Sequence, residues 1–230
     1  MEVMPLKAMY PQGGEKVLIY HVTGEKVPEG KLPLDVGAVV LNCTTISSIA
    51  RYCRTGLPLV KKCVTVDGSA VKNPMNVLVP IGTRMKDVFE ATGGFKEEPK
   101  MVLYGGPMMG IAVPDLEQPI LKNTNAILAF GEAEATPPEP TACIKCGKCI
   151  AHCPLSLMPC EMETAYKKGN IERLMHLKVN LCMECGCCSF ICPAHRPLVQ
   201  TNKLAKAQVM AYKNALKAKA EAEKQKEAAK

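Results

Sequence analysis

The sequence predicts a multi-domain α+β protein. Short β segments surround one helix pattern between residues 58 and 115, and a cysteine-rich region of helical character lies between residues 141 and 202. The acidic, proline-bearing stretch "GEAEATPPEP" (residues 131–140) lies between these regions and is typical of a linker. With 47% hydrophobic and 22% charged residues, the 230-residue chain has the composition of a globular protein with real cores.

The start of the chain and its cysteine content indicate the cellular compartment in which the protein works. The first fourteen residues, "MEVMPLKAMYPQGG", contain no apolar stretch like that of a secretory signal, and the chain has no run of eighteen uncharged apolar residues. We therefore expect a cytoplasmic protein. Thirteen cysteines in such a chain favour metal ligation or redox chemistry over disulfides, because reducing compartments keep thiols free.

The net charge of +7 would suit nucleic acid or an anionic membrane surface, but its distribution weakens that interpretation. Residues 203–230 hold eight lysines and three glutamates, so five of the seven excess positive charges lie there. This stretch is rich in strong helix formers and has few large apolar residues, which predicts a solvated, fraying helical tail. We expect no nucleic-acid partner. Docking of the tail to an acidic partner or a membrane surface is the alternative.

A strand pattern followed by a helix pattern precedes the β-rich region. "GAVVLN" (residues 37–42) predicts a buried strand. The next stretch, "TTISSIARYCRTG", predicts a helix that Thr44 or Thr45 caps and that ends at Gly56. The apolar face of this helix is expected to consist of Ile46, Ile49, Ala50 and Cys53.

The β-rich region predicts a small domain over residues 58–115. "KKCVTVDG", "SAVKNP" and "NVLVPIG" are three short β segments separated by Asp-Gly and Asn-Pro turn signals. In "TRMKDVFEATGG", Met85, Val88 and Phe89 form the buried stripe of a helix, and "MVLYG" is a further strand. A hairpin, a helix and another strand suggest a β-grasp module. Residues 116–140 are expected to form the linker.

The cysteine-rich region contains the spacing C-x2-C-x2-C-x3-C-P twice. This spacing is typical of paired [4Fe–4S] clusters, in which the first three thiolates of a motif bind one cluster and the fourth binds the other. The predicted ligands of the first cluster are Cys143, Cys146, Cys149 and Cys192. The predicted ligands of the second cluster are Cys182, Cys185, Cys188 and Cys153.

Structural zinc is the rival interpretation, because zinc sites also use C-x2-C hooks. Zinc sites usually present two separated pairs, whereas here four cysteines lie within eleven residues, twice, each set ending in Cys-Pro. A [3Fe–4S] cluster is a further alternative, although neither motif lacks a ligand. The 28 residues between the motifs contain helix patterns, so residues 141–202 are expected to form a helical ferredoxin-like domain. Cys160 and Cys187 fall outside the spacing. Cys187 is expected to be a packed thiol beside the ligands, and replacement of a ligand in a damaged site is the alternative for it.

Several stretches together resemble one family. These are "YPQGGEKVLIYHVTGEKVPEGKLPLDVGAVVLN", "VKNPMNVLVPIGT", "YGGPMMG" and the paired cysteine motifs, which run in order from about Tyr10 to about Ala205. They are similar to the C subunit of Rnf-type ion-translocating ferredoxin:NAD+ oxidoreductases. The resemblance implies a flavin- and NADH-binding domain like that of the complex I flavoprotein, a soluble-ligand-binding β-grasp domain, and two [4Fe–4S] clusters. Residues 1–57 would be the C-terminal part of the first domain.

The resemblance also implies candidate flavin residues. Gly14 and Glu15 in "GGE", and Asn42 and Thr45 in "NCTT", match positions that line one side of the flavin pocket in the family. Turn and helix-cap roles are the alternative for all four. The family's glycine-rich loop should lie well upstream of "YPQGGEK", where this chain has nine residues, so we expect the C-terminal portion of a longer protein. FMN and NADH would bind only together with that upstream region.

The resemblance implies an electron-transfer subunit of a membrane-associated complex that couples ferredoxin:NAD+ oxidoreduction to ion translocation. The chain itself would only carry electrons, with no catalytic residue of its own. Its partners would be the other subunits, which hold it on the cytoplasmic face of the membrane, and a ferredoxin-type carrier. The alternatives are a cobalamin reductase-like iron–sulfur flavoprotein fragment and a noncatalytic docking scaffold. No P-loop or hydrolase-like nucleophile arrangement occurs in the sequence.

Overall fold

The structure, a computed structural model, describes residues 2–228. The chain is mixed α+β, as predicted, and divides into two compact units. The first unit consists of Met1–Val40 together with Glu139–Lys230, and the second is Leu41–Pro138. The first forty residues therefore group with the cysteine-rich region, whereas the sequence predicted a separate domain of residues 1–57.

The first unit begins with a turn and helix α1 (Glu15–Thr23). In the turn, Gly14 N donates to Pro11 O at 2.9 Å. The helix ends at Gly24, whose φ of 77° provides the left-handed C-cap. The predicted strand over residues 37–42 is wrong, because among the described residues this stretch is in no strand and has no buried side chain. A run of β-branched residues forms a strand only where a neighbouring strand completes its hydrogen bonds.

Helix α2 (Cys43–Thr55) opens the second unit, close to its predicted position. Its cap differs from the prediction: Asn42 Oδ1 accepts a hydrogen bond from Thr44 N at 2.8 Å, so neither Thr44 nor Thr45 is the N-cap. The predicted apolar face is not buried. Large apolar side chains on that face remain about half exposed, namely Ile46 at 53% and Ile49 at 49%.

A five-stranded sheet with the order β2-β1-β5-β3-β4 forms the centre of the second unit. Its strands are β1 (Lys61–Asp67), β2 (Met75–Pro80), β3 (Met101–Tyr104), β4 (Ile111–Ala112) and β5 (Ala126–Phe130). The central pair, β1 and β5, is parallel, and the other neighbours are antiparallel. The sequence predicted β1, β2 and β3.

Helix α3 (Met85–Ala91) packs on this sheet through the stripe predicted for it. Met85, Val88 and Phe89 are all buried. Their apolar neighbours on the strands are Val64, Val66, Val79, Val102, Ile127 and Ala129. Burial alternates along β1, as expected for a sheet whose inner face is covered by a helix.

Two predictions for the second unit are wrong. "SAVKNP" is not a strand, since only Val71 makes an isolated bridge, to Phe95. Residues 116–140, expected to be a linker, contain the central strand β5. The run "AILAF" has no polar alternation because its three middle residues are all buried, so a two-residue period could not reveal it. The linker stretch itself begins with helix α4 (Glu132–Ala135).

The cysteine-rich region is helical, as its sequence predicts. Its helices are α5 (Lys148–Ala151), α6 (Pro159–Lys167), α7 (Ile171–His176), α8 (Cys187–Phe190) and α9 (Leu198–Ala228). A separate apolar core lies among α6, α7 and α9, centred on Met162, Leu174 and Val179.

Helix α9 differs from the tail predicted for the end of the chain. Residues 203–230 were expected to form a fraying tail, but α9 runs without interruption from Leu198, and Ala205 and Val209 are buried in the core of the cysteine-rich region. From residue 213 to 223 every residue is exposed, so only this later part resembles a solvated helix. Among residues 2–228, no helix combines the length and apolar character needed to cross a membrane.

Gly68 lies in the turn after β1, where the backbone comes close to β5. Its φ is 118°, and a Cβ at this position would overlap the backbone of Ala129, whereas Gly82 has a φ of 96° and open space around it. Both substitutions by alanine should cost about 1–2 kcal/mol of unfolding free energy for the positive φ. We expect Gly68→Ala to cost roughly 1–3 kcal/mol more, because β5 must move.

Hydrogen exchange of the amides of β1 and β5 would measure this difference. Gly82→Ala is the matched control, since it introduces the same side chain at a left-handed position without a clash. Equal loss of protection in the two variants would contradict the close packing of the turn against β5.

Candidate metal centre

The two cysteine motifs form loops with the same backbone conformation, 39 residues apart. Non-glycine residues adopt left-handed conformations at equivalent positions: Lys145 (φ 56°) matches Glu184 (φ 60°), and Ser156 (φ 51°) matches His195 (φ 49°). Each such residue costs about 1–2 kcal/mol, so the same conformations occurring twice indicate a loop shape that the motif requires. The helices also begin at equivalent positions: α5 and α8 begin within the motifs, at Lys148 and Cys187, and α6 and α9 begin after them, at Pro159 and Leu198.

The structure brings together the cysteines predicted to hold the second cluster. Cys153, Cys182, Cys185 and Cys188 line one cavity. Its remaining walls are largely apolar and include Leu155, Leu157, Pro159 and Val199. Cys153 belongs to the first motif, so thiols from both motifs meet at this cavity. Cys187 lines it as well.

The cysteines predicted for the first cluster are less closely gathered. Cys149 and Cys192 pack in a small apolar group that also contains Cys188, whereas Cys143 and Cys146 are exposed on their loop. The thiols of both motifs thus also meet in this group. Cys160, which lies outside the repeated spacing, packs against this group.

Burial raises the pKa of several of these thiols. It raises the pKa of Cys188 to about 12 and the pKa values of Cys149 and Cys187 to about 11. Neighbouring thiols add to the effect, Cys160 for Cys149 and Cys185 for Cys187. Neutral buried thiols are poor nucleophiles, which argues against covalent catalysis by them. A bound metal removes the thiol proton outright.

The donor set fits an iron–sulfur cluster in its chemistry, because four thiols surround one largely apolar cavity. As the side chains stand, the described part of the chain contains no group of three or more Cys, His, Asp or Glu residues arranged to hold a single metal ion. In a [4Fe–4S] cluster each thiolate binds a different iron, whereas a zinc ion draws four thiolates to about 2.3 Å from one point.

A buried ion pair joins the segments around both motifs. Glu163 of α6 is only 2% exposed, and Arg196 Nε donates to its Oε2 at 2.7 Å. Arg196 also donates to Thr141 O at 2.9 Å, and Thr141 N donates to Ala194 O at 3.0 Å. Lys167 Nζ lies 3.0 Å from the other Glu163 oxygen. The chain before the first motif, the helix after it and the chain after the second motif are therefore linked.

The charges of this pair stabilise each other. Burial opposes ionisation of Glu163, but hydrogen bonds from Arg196 and Lys167 outweigh it and hold the pKa of the carboxyl below its usual range. The same hydrogen bond raises the pKa of Arg196, to which the thiols of Cys143 and Cys192 also contribute.

Helix α9 holds the first cysteine of the second motif. Lys206 Nζ donates to Cys182 O at 3.0 Å and pairs with Glu184 at 2.5 Å. Asn202 Nδ2 lies 3.8 Å from Cys182 Sγ, in hydrogen-bonding geometry for sulfur. These contacts fix the start of the second loop to the helix that follows it.

The first forty residues contact the second motif. The Tyr10 hydroxyl donates to Cys185 O at 2.6 Å. Gly14 lies so close to Met183 that a Cβ at this position would overlap the methionine side chain. The segment that carries two of the predicted flavin residues therefore packs against a cysteine loop.

The four predicted flavin residues fall into two pairs at the starts of two helices. Gly14 and Glu15 lie at the N-terminus of α1 in the first unit, whereas Asn42 and Thr45 lie at the N-terminus of α2 in the second. The Asn42 side chain serves as a helix cap, one of the alternative roles considered for it. The structure does not gather the four residues in one unit.

Several residues of the site were not predicted from the sequence, namely Tyr10, Glu163, Arg196, Asn202 and Lys206. A signal existed for Glu163, a carboxylate beside the apolar positions Met162 and Ala165. The 39-residue offset then points to Asn202, which occupies the equivalent position in α9. Nothing in the sequence distinguishes Tyr10 from the other exposed tyrosines.

Two family models match the chain. The Nuo51 FMN-binding domain matches residues 1–51, and the SLBB domain matches residues 63–112. With the mixed sheet and the paired cysteine loops, these matches indicate a modular protein with one segment similar to the Nuo51 FMN-binding domain and another similar to the SLBB domain.

Three curated relatives of the chain are C subunits of ion-translocating complexes. The chain is 45% identical over 159 residues to that of the proton-translocating ferredoxin:NAD(+) oxidoreductase complex of Clostridium ljungdahlii, covering 69% of the chain and 35% of the relative. It is 40% identical over 213 residues to the C subunit of the Na(+)-translocating ferredoxin:NAD(+) oxidoreductase complex of Acetobacterium woodii. This match covers 93% of the chain and 48% of the relative. It is 38% identical over 200 residues to the C subunit of the ion-translocating oxidoreductase complex of Rhodobacter capsulatus. This match covers 87% of the chain and 38% of the relative.

The resemblance predicted from the sequence is confirmed. The chain is homologous to the C subunit of the Rnf-type ion-translocating oxidoreductase complexes. It spans about half the length of these relatives or less.

Removing one partner of the buried ion pair should destabilise the cysteine-rich region strongly. Glu163→Ala leaves Arg196 without its carboxylate, and we expect a loss of roughly 3–5 kcal/mol in the free energy of unfolding. Urea unfolding of the metal-free chain followed by circular dichroism would measure it. The matched control is Arg84→Ala, which breaks exposed ion pairs with Asp87 and Glu117 and should cost far less.

The contribution of Glu163 should also depend on pH. Its lowered pKa means that the stabilisation is complete above the pKa of an unfolded glutamate and is lost as the pH falls through the folded value. The stability difference between the unsubstituted chain and Glu163→Gln should be constant above about pH 5 and shrink below it. A difference independent of pH down to the acid transition would contradict an ionised Glu163.

Proposed function

We propose that this chain is an electron-transfer subunit of a membrane-associated ferredoxin:NAD+ oxidoreductase complex coupled to ion translocation, in which it relays electrons through two [4Fe–4S] clusters. The observation that carries the proposal is the meeting of Cys153 with Cys182, Cys185 and Cys188 at one cavity. An exchanged fourth cysteine is the arrangement of proteins with two such clusters. The names of the relatives supply the complex to which such a relay would belong.

The ligand sets follow the exchange. Cys143, Cys146, Cys149 and Cys192 hold the first cluster. Cys182, Cys185, Cys188 and Cys153 hold the second. The packing of Cys149 and Cys188 in one apolar group supports a short separation between the clusters, as electron transfer requires.

The clusters supply one-electron chemistry when bound, and the chain supplies their surroundings. The apolar walls of the cavity exclude water, and Leu157 N donates to Cys153 Sγ at 3.3 Å. Backbone N–H groups directed at ligand sulfurs favour the added negative charge of the reduced state.

We assign FMN and NADH to a complete flavin-binding domain, of which the Nuo51 match covers residues 1–51. Gly14, Glu15, Asn42 and Thr45 are the candidate edge of the flavin site. The contact of Gly14 with Met183 supports electron exchange between such a site and the cysteine-rich region.

We assign the second unit to the β-grasp class as a soluble-ligand-binding domain. The order β2-β1-β5-β3-β4, with a central parallel pair and one helix on the inner face, supports this, as does the SLBB match. The partners of the chain are then the other subunits, which hold it on the cytoplasmic face of the membrane, and a ferredoxin-type carrier that exchanges electrons with the complex.

Metal analysis tests the cluster count. Because two complete ligand sets are present, the anaerobically reconstituted chain should bind about eight iron and about eight sulfide per polypeptide. Iron and sulfide assays together with elemental analysis would measure this. One or two zinc ions without iron would instead support the structural-zinc interpretation and contradict the proposed electron relay.

Electron paramagnetic resonance tests the exchanged ligands. Cys192→Ala should disturb the cluster of Cys143, Cys146 and Cys149, and Cys188→Ala should disturb the other, so the two variants should lose different signals. Cys160→Ala is the control, since this thiol packs beside Cys149 without being a proposed ligand and should leave both signals. Identical losses in Cys192→Ala and Cys188→Ala would show that both residues serve one cluster.

A further inference from the structure

The two cysteine loops have equivalent backbones but different side chains facing them from the helices that follow. With the 39-residue offset, position 163 of α6 corresponds to position 202 of α9. Glu163 is engaged by Arg196 and Lys167 and has no N–H to donate. Asn202 instead directs its amide Nδ2 at Cys182 Sγ, 3.8 Å away.

Asn202 is a buried polar side chain without a complete set of partners. It is 1% exposed, it lines the cavity shared by Cys153, Cys182, Cys185 and Cys188, and its Oδ1 accepts no hydrogen bond from the described residues. A buried amide with an unpaired oxygen is unfavourable for stability compared with an apolar side chain of similar size. Packing therefore does not explain an asparagine here, whereas a donor aimed at a ligand sulfur does.

We propose that Asn202 is a positioning residue that raises the reduction potential of the cluster held by Cys182, Cys185, Cys188 and Cys153. The inference rests on the proposed function. A reduced cluster carries one more negative charge, and an N–H directed at its ligand sulfur stabilises that charge strongly in a largely apolar cavity. Among the described hydrogen bonds, no side chain of α6 donates to Cys143 Sγ in the same way.

Charged side chains near the two loops act separately from this amide. Around the first loop, Glu163 pairs with both Arg196 and Lys167, and the loop itself carries Lys145 and Lys148. Around the second loop, Lys206 pairs with Glu184. These charges are the same in the unsubstituted chain and in a variant that replaces the amide by an apolar side chain, so the change in potential between the two reports the amide.

A potentiometric titration of the full reconstituted chain, followed by electron paramagnetic resonance, tests the inference. Asn202→Leu should move one of two reduction waves to lower potential, by on the order of tenfold in the equilibrium constant, or ~59 mV for a one-electron couple. The wave that moves should be the one that disappears in Cys185→Ala. The other wave should stay where it is.

A second variant covers the case in which Asn202→Leu does not assemble two clusters. Asn202→Asp keeps the size and shape of the side chain but replaces the donor by an acceptor, so it should move the same wave further in the same direction. Gln200→Glu makes the same amide-to-acid change at an exposed position of α9 and should have a much smaller effect.

Three outcomes would overturn the inference: unchanged waves in both Asn202 variants, equal shifts of both waves, or a shifted wave that survives in Cys185→Ala. Iron and sulfide assays of the unsubstituted chain separate this from failure of the proposed function. If that chain binds no cluster, the relay itself is wrong and the inference falls with it.

Discussion

The carboxylate of Glu163 lies almost completely buried beside the guanidinium of Arg196, and the geometry of the cysteine-rich region depends on this contact. Burying either charge without its partner would cost several kcal/mol of folding free energy, so the two residues stabilise the fold only as a pair. Glu163 lies on the helix after the first motif, whereas Arg196 follows the second motif and also binds Thr141 O before the first. One ion pair therefore sets the position of both cysteine loops relative to each other.

Such positioning matters because neither loop supplies a complete ligand set in the proposed arrangement. The left-handed residues Lys145 and Glu184 shape each loop locally, but local conformation cannot place Cys153 beside the cysteines of the second motif. That requires contacts between segments far apart in sequence. The ion pair provides them without placing a charge among the thiols that line the cavity, so their surroundings stay largely apolar.

Features with a local cause could be predicted from the sequence. Helix α3 and strands β1 and β2 follow from hydrophobic period and turn residues, and the eight cysteines from their spacing. Features with a long-range cause could not. Strand β5 is central only because β1 and β3 flank it, and residues 37–42 are not a strand because no described segment pairs with them. Asn202 matters only because folding brings it to Cys182.

Helix α9 is continuous in geometry but not uniform in stability. Its first turns are buried through Leu198, Ala205 and Val209, whereas residues 213–223 contact mainly solvent. An exposed helix of this length is marginal in water, so its amides should open locally at a small fraction of the free energy that protects the buried turns. The anchor of the second cysteine loop at Asn202 and Lys206 lies in the protected part. Fraying or lengthening of the exposed part of the helix should therefore leave the contacts of Asn202 and Lys206 with Cys182 intact.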